Sequence, residues 1–471
     1  MRLTKYEPGS FAEIWTLSWP MVLAAMSNYL MSLVDRSFLG RYSTEAMVAA
    51  TGAYTVYWTH VRTMMSFIAM ATVIVSQCHG AHSYRQIGRI VWQVLYVAFG
   101  YYMVLIPCAI FSKDLLADAY STLGAPYLSI ILLTLPFHLA GYGAIGAFFL
   151  GIGRTRIVPV VMIISNVVNI VLDYLLILGH GGFPRLGIIG AGLAMGIAQM
   201  VAFSIFLYLF LRRPFRRYYH THVPIFCWPL MTRLFSSGTP NAINSLFNAG
   251  GLALVFQIVG KVCPPDAIVA FSVAHTIHLA FWSFTDGLGK GVCTICSNYI
   301  GNGQMRRLRK IIRPLLALMG IFGVVTAIFM VIAPQLVLPI FDIPNTSPEF
   351  FAVFRSVLFW AWVALVIDSV RWLTQNALIS AGDALFTMFS NVGCFWGFSL
   401  LPISLMVYIY RCAGARFCWQ CFATDAGIRI ILNWLRFRSK RWRYHARRSF
   451  RVSRMDRQMR RRSRNACRAS I

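Results

Sequence analysis

Charged residues are scarce in this 471-residue chain, at 12%, and acidic ones scarcer still, with 15 Asp and Glu against 43 Lys and Arg. A soluble chain of that length carries roughly 25% charged residues and splits into several domains. The shortage excludes that class, and a 58% hydrophobic content with a mean hydropathy of +0.63 says the same. No nucleophile–base motif or metal-ligand cluster emerges, so nothing supports an enzyme and no cofactor is expected. The 11 cysteines are scattered and give no disulfide framework. Cys293-x-x-Cys296 and Cys418-x-x-Cys421 have metal or redox spacing, yet both lie in apolar runs, where free Cys packs as a small hydrophobe. A folded nucleic-acid-binding motif is missing too, so nucleic acid is not an expected partner. Nor is a cleavable signal peptide expected, because the first apolar run is long and no small-residue cleavage site follows a short hydrophobic core.

The chain has instead apolar runs near or above the roughly 20 residues that cross a bilayer. About twelve recur, at approximately 12–34, 52–77, 90–111, 127–149, 157–178, 188–211, 233–259, 268–298, 315–341, 350–379, 385–410 and 415–436. Arg416, Asp425 and Arg429 interrupt the last. The prediction is an all-α polytopic membrane protein of the cell (inner or plasma) membrane. Sixteen Lys or Arg, among them Arg85, Arg154, Arg212 and Arg306, follow even-numbered runs or precede the first, against six in the opposite loops. The positive-inside rule then places both termini in the cytoplasm. From Arg436 onward fifteen Lys or Arg accompany one acid, Asp456, which predicts a tail drawn to anionic lipid head groups.

Laid over itself, the chain repeats. Ser18-Trp19-Pro20 is taken to open the first helix, and Gly238-Thr239-Pro240 the seventh, 220 positions later. Gly80-Ala81-His82 after the second helix answers Gly301-Asn302-Gly303 after the eighth, at an offset of 221. Ser165-Asn166-Val167 answers Ser390-Asn391-Val392 at 225. An ordered series of this kind implies two pseudo-symmetric six-helix lobes, residues 1–215 and 216–435, followed by a basic tail, 436–471. Six crossings is an even number, so both lobes enter the membrane from one side, and an axis along its normal relates them. Transporters with that plan bind substrate near the midplane and rock their lobes.

Acids within the apolar runs are the informative ones, since a carboxylate in hydrocarbon needs a partner or water. Asp173 shares a helical face with Asn166 and Asn169. Asp35 has Asn28 on its face, and its neighbour Arg36 points elsewhere. Asp286 has Lys290 nearby, and Asp368 has Arg371 three residues on and Gln375 seven on, so local ion pairs account for both. Asn241, Asn244 and Asn248 form a further stripe, for which interhelical hydrogen bonding is an equal explanation. Asp35 and Asp173, without local partners, are the candidates for binding a proton or, with Asn oxygens, Na⁺. Pro20 and Pro240 are candidate hinges, the alternative being prolines tolerated in a first turn.

The stretches SWPMVLAAMSNYLMSLVDRSFLGR, SNVVNIVLDYLLILGHGGFPRLGIIGAGLAMGIA, CSNYIGNGQMRRLRKII and ALISAGDALFTMFSNV resemble the MATE (multidrug and toxic compound extrusion) family, in the expected order up to about Trp442. The resemblance implies a V of two six-helix lobes that exports organic, often cationic or amphipathic, compounds in exchange for H⁺ or Na⁺. It assigns the first-helix acid to Asp35, the fifth-helix Asn-x-x-x-Asp to Asn169 and Asp173, and the tenth-helix acid to Asp368. Departures accompany it. A seventh-helix Glu used by many members appears as Asn248, a Na⁺-ligating sixth-helix Thr falls at Met195, and a Tyr four residues before the first-helix acid is Met31. These losses favour H⁺ over Na⁺ as the coupling ion.

The leading expectation is therefore a monomeric, cation-coupled antiporter acting on a small molecule. A flippase for a lipid-linked substrate is the alternative, kept open by the helix-embedded Arg62, Lys290, Arg355 and Arg371, which would meet phosphates. A membrane scaffold that recruits partners through the basic tail is disfavoured by the two unpartnered acids.

Overall fold

The first helix starts at a capping box. Ser10 Oγ accepts the Glu13 N–H at 3.2 Å, and Glu13 Oε2 accepts the Gly9 N–H at 2.7 Å. From that cap α1 runs without a break from Phe11 to Tyr42. The structure, a computed structural model, describes residues 3–116, 118–336, 338, 347–410, 414–444 and 446. The basic stretch from Arg447 onward, with Asp342 and Arg411, lies outside the described residues.

Among the described residues, each expected crossing is helical. The first lobe holds α1, α2 (Thr44–Gly80), α3 with α4 (Tyr84–Gly100, Tyr102–Ile110), α5 with α6 (Asp118–His138, Gly146–Gly151), α7 (Ile157–Leu176) and α8 (Ile188–Phe210). A π-helical turn, Leu139–Ile145, joins α5 to α6. Short α9 (Arg213–Tyr219) leads to a connection pinned along α3, where Trp92 Nε1 donates to Thr221 O and Gln93 Nε2 to Ile225 O, each at 2.8 Å. The second lobe holds α10 (Trp228–Val262), α11 (Pro265–Gly301), α12 (Leu308–Ala327), α13 (Pro348–Ser380), α14 with α15 (Ala384–Cys394, Leu401–Tyr410) and α16 (Ala415–Arg438). Eleven helical segments among the described residues are long and apolar enough to cross a membrane. The twelfth place belongs to α16, 24 residues long, whose charged residues dilute its apolarity.

Two expectations are corrected. Neither Ser18-Trp19-Pro20 nor Gly238-Thr239-Pro240 opens a helix, since α1 begins at Phe11 and α10 at Trp228. Pro20 and Pro240 therefore sit inside their helices, each removing one backbone hydrogen bond, and the first-turn alternative is excluded. The expected tail also starts too early. Helix α16 continues through Arg438, and Trp442 is buried with its ring 5.8 Å from that of Phe437.

The two lobes have separate apolar cores that exchange arms. Ile14, Leu17 and Val22 of α1 belong to the second core, while Leu234 of α10 belongs to the first. Helices α2 and α11, equal in length at 37 residues, meet at their C-terminal ends. There the repeat becomes a reciprocal contact. A Cβ on Gly80 would lie 2.2 Å from Asn298 O, and one on Gly301 would lie 2.1 Å from Gln77 O. Only glycine permits this approach.

Polar bonds close the same end. Ser76 Oγ donates to Thr294 O at 2.7 Å, Gln77 Nε2 to Ser380 O at 2.8 Å, and Arg233 Nη2 to Gln77 Oε1 at 3.1 Å. Buried Glu13 accepts a hydrogen bond from the Tyr299 hydroxyl across the same seam. All these groups lie at the helix ends facing the side from which the first helix enters. Farther from it, Tyr29 Oη donates to Thr276 O at 3.5 Å, and Lys290 reaches Tyr142 of the first lobe.

Gly301→Ala is expected to push the lobes apart at the latched end, lengthening the distance between spin labels placed across it. Gly250→Ala, where a Cβ meets nothing within 4 Å, is the control and should leave that distance unchanged. Overpacking of this kind costs about 1–3 kcal/mol.

Candidate functional site

Helices α1 and α7 pack side by side, and their facing stripes bring the two unpaired acids together. The carboxyl groups of Asp35 and Asp173 lie within hydrogen-bonding reach of each other. Asn169, one turn before Asp173, donates from Nδ2 to Asp173 Oδ2 at 2.8 Å. Asn166, about a turn earlier, donates to Ser27 Oγ at 2.7 Å and so ties α7 to α1. Among the described residues neither acid forms an ion pair, and Arg36 is exposed. Asp35 Oδ1 and Asp173 Oδ1 are buried and receive no donor. Two carboxylates in contact repel, and a proton or a cation between them would remove both the repulsion and the orphaned oxygens.

Two tyrosines lie near the pair. Tyr54 and Tyr127 lie within electrostatic range of it, and Tyr54 packs on Tyr57 with ring centroids 5.6 Å apart. Tyr57 Oη in turn accepts the Gln199 Nε2 proton at 2.9 Å. Asp173 is 1% exposed.

The second lobe is organised differently. Arg371 Nε donates to Asp368 Oδ1 at 2.5 Å, and its Nη1 to Gln375 Oε1 at 2.5 Å. Arg429 forms a buried ion pair with Asp425, one turn away on α16, and Nη1 reaches Asn391 Oδ1 at 3.5 Å. Each acid here is matched by a guanidinium. Asp286 pairs with Lys290 at 2.7 Å, as the spacing predicts. Asn248 donates to Asn244 O and Oδ1, at 2.7 and 2.9 Å, and so stays within its own helix.

Of the residues singled out from sequence, Asp35, Asp173, Asn169 and Asn166 thus converge. Asp368 and Gln375 form a separate cluster, Asp286 lies between the lobes, and Asn248 joins none of them. Sequence reasoning treated Asp425 and Arg429 as an interruption, although their four-residue spacing was a readable ion-pair signal. The tyrosines near the pair and the Glu13–Tyr299 contact gave no such signal, because they join distant helices.

This arrangement, two helical lobes latched at one end with isolated polar clusters inside, defines an integral membrane transporter and not an enzyme. The MatE family model matches residues 20–175 and 240–404, and the chain belongs to that family. The multidrug resistance protein NorM of Burkholderia vietnamiensis is 25% identical over 438 residues, covering 89% of this chain and 92% of that one. The uncharacterized transporter YisQ of Bacillus subtilis is 24% identical over 457 residues, with 91% and 94% covered. Among solved structures, an outward-facing multidrug resistance MATE family transporter superposes with a TM-score of 0.81 at 16% identity, covering 93% of this chain and 97% of its own. The MATE transporter VcmN of Vibrio cholerae gives 0.78 at 16%, with 92% and 98% covered.

Arg429→Met, which strands the buried Asp425 carboxylate, is expected to destabilise the protein by about 3–5 kcal/mol, read as a lowered melting temperature in detergent. Adding Asp425→Leu should recover most of the loss.

Proposed function

We propose that the protein is a secondary active antiporter that exports amphipathic organic compounds, in the manner of multidrug efflux, in exchange for H⁺. Na⁺ is the less favoured ion. The supporting observation is the Asp35–Asp173 contact, two carboxyl groups without a basic partner inside a membrane lobe. Such a pair discharges by taking up a proton. Losing it restores a repulsion that only a rearrangement of α1 against α7 relieves.

Pro20 lies on α1 between the latch at Glu13 and the acid at Asp35, and it is the proposed hinge. Pro240 is its counterpart on α10. If the positive-inside reading holds, the latched end is cytoplasmic, and the space between the lobes opens outward. Met195 and Met31 stand where Na⁺-coupled relatives would offer oxygen, which supports proton coupling. Residues 1–215 and 216–435 are the proposed moving bodies, with the exchanged first turns of α1 and α10 as their straps. Lipid-linked substrates are less well supported: Arg371 and Lys290 face acids on their own helices and Arg355 is exposed near the start of α13, which leaves Arg62 alone of the four to meet a phosphate.

In proteoliposomes with imposed pH or Na⁺ gradients, dye transport should follow the pH gradient. Asp35→Asn and Asp173→Asn should each lower gradient-driven transport at least tenfold while leaving folding intact by size-exclusion profile. Full transport in both variants would end the proposal.

A further inference from the structure

Both clusters described above lie within a lobe. A third set of charges lies between the lobes. Arg62 stands halfway along α2, near the bilayer midplane by its place in a helix that spans Thr44–Gly80. Its guanidinium is half-buried, lies within electrostatic range of Asp286 and His275 of the opposite lobe, and makes no ion pair among the described residues. Lys290 of α11 extends into the same seam, with Nζ 6.0 Å from the ring centroid of Tyr142, which the π-helical turn of the first lobe presents. The Lys290 side chain, eleven residues before the C-terminal end of α11, is 36% exposed.

Asp286 is the acid among these groups, and Lys290 already holds it at 2.7 Å. The other buried helix-embedded acids have partners elsewhere: Asp35 and Asp173 each other, Glu13 the Tyr299 hydroxyl, Asp368 Arg371, and Asp425 Arg429. Among Arg62, Lys290 and Asp286 the fixed charge is therefore net positive by one, and the group left without an ion-pair partner is the arginine. An unpaired guanidinium at membrane depth is retained only where something offers it a partner. Its planar fork matches a carboxylate or sulfonate in two parallel hydrogen bonds. Aromatic surface lies close by, with Phe256 against His275 at 4.8 Å.

From this we propose that Arg62, assisted by Lys290, is the recognition site for the acidic group of the transported compound, which is thereby an amphipathic organic anion. This rests on the antiport reading for the meaning of the space, and it departs from the cationic substrates that the family resemblance leads one to expect. A cationic guest would meet the surplus charge head-on, whereas an anionic one cancels it. Proton exchange at Asp35 and Asp173 is unaffected by the choice, because that pair lies inside the first lobe.

The test is equilibrium binding to the purified full-length protein in nanodiscs, read by fluorescence anisotropy. Carboxyfluorescein and a cationic rhodamine ester, two xanthene dyes of similar shape and opposite charge, are the probes. The wild type should bind the anionic dye more tightly than the cationic one. Arg62→Gln should weaken the anionic dye at least tenfold and leave the cationic dye equal or tighter. Arg62→Lys, which keeps the charge but not the fork, should fall between and guards against a folding defect in the first variant. A wild type that prefers the cationic dye, an Arg62→Gln protein that holds the anionic dye as before, or a wild type that binds neither dye would each overturn the proposal. No ion gradient is used, so failure of proton coupling leaves this measurement standing, and its own failure leaves the coupling experiment standing.

Discussion

A charge in hydrocarbon has to be cancelled, hydrated or moved, and the polar interior of this protein is arranged by that constraint. The chain spends few acids within its helices. In the second lobe each is bound to a basic side chain: Asp368 to Arg371, Asp425 to Arg429, and Asp286 to Lys290 at the seam. In the first lobe the same constraint is met differently, with two acids placed against each other and no base supplied. One lobe is therefore electrostatically settled, and the other depends on something arriving from outside. The pseudo-symmetry of the backbone does not extend to the charges.

Closure at one end has a different basis. Gly80 and Gly301 bring the ends of α2 and α11 into backbone contact, and Ser76, Gln77, Thr294 and Arg233 place hydrogen bonds around that contact. Few side chains have to be ordered or desolvated to form or break such a seam. Hydrogen bonds within membranes average well under 2 kcal/mol each, so a small set can hold a state that is still able to open. Glu13, capped by Ser10 and bonded to Tyr299, ties the start of α1 into the same seam.

Much of this was readable in advance, for a reason that particular residues illustrate. Helices in a bilayer must satisfy their own backbone, so apolar length alone places them, and the expected crossings are there. The Asp286–Lys290 and Asp368–Arg371 pairs were also visible, because partners three or four residues apart on a helix have little choice but to meet. Helix starts were less legible. Pro20 and Pro240 looked like openings, yet Ser10 and the loop before Trp228 set the true ones, since a membrane helix extends past its apolar stretch wherever a cap and lobe contacts support it.

Local spacing and composition thus determined the fold class, the repeat, the stripes of Asn166, Asn169 and Asp173, and the lack of a neighbouring base for Asp35 and Asp173. The sequence could not tell that these two acids come together, that tyrosines from α2 and α5 lie near them, that Gly80 and Gly301 meet across the lobes, or that Arg62 lies within electrostatic range of Asp286. Each of those depends on which helix lies beside which and at what rotation. Packing between segments far apart in the chain sets that, and no local pattern encodes it.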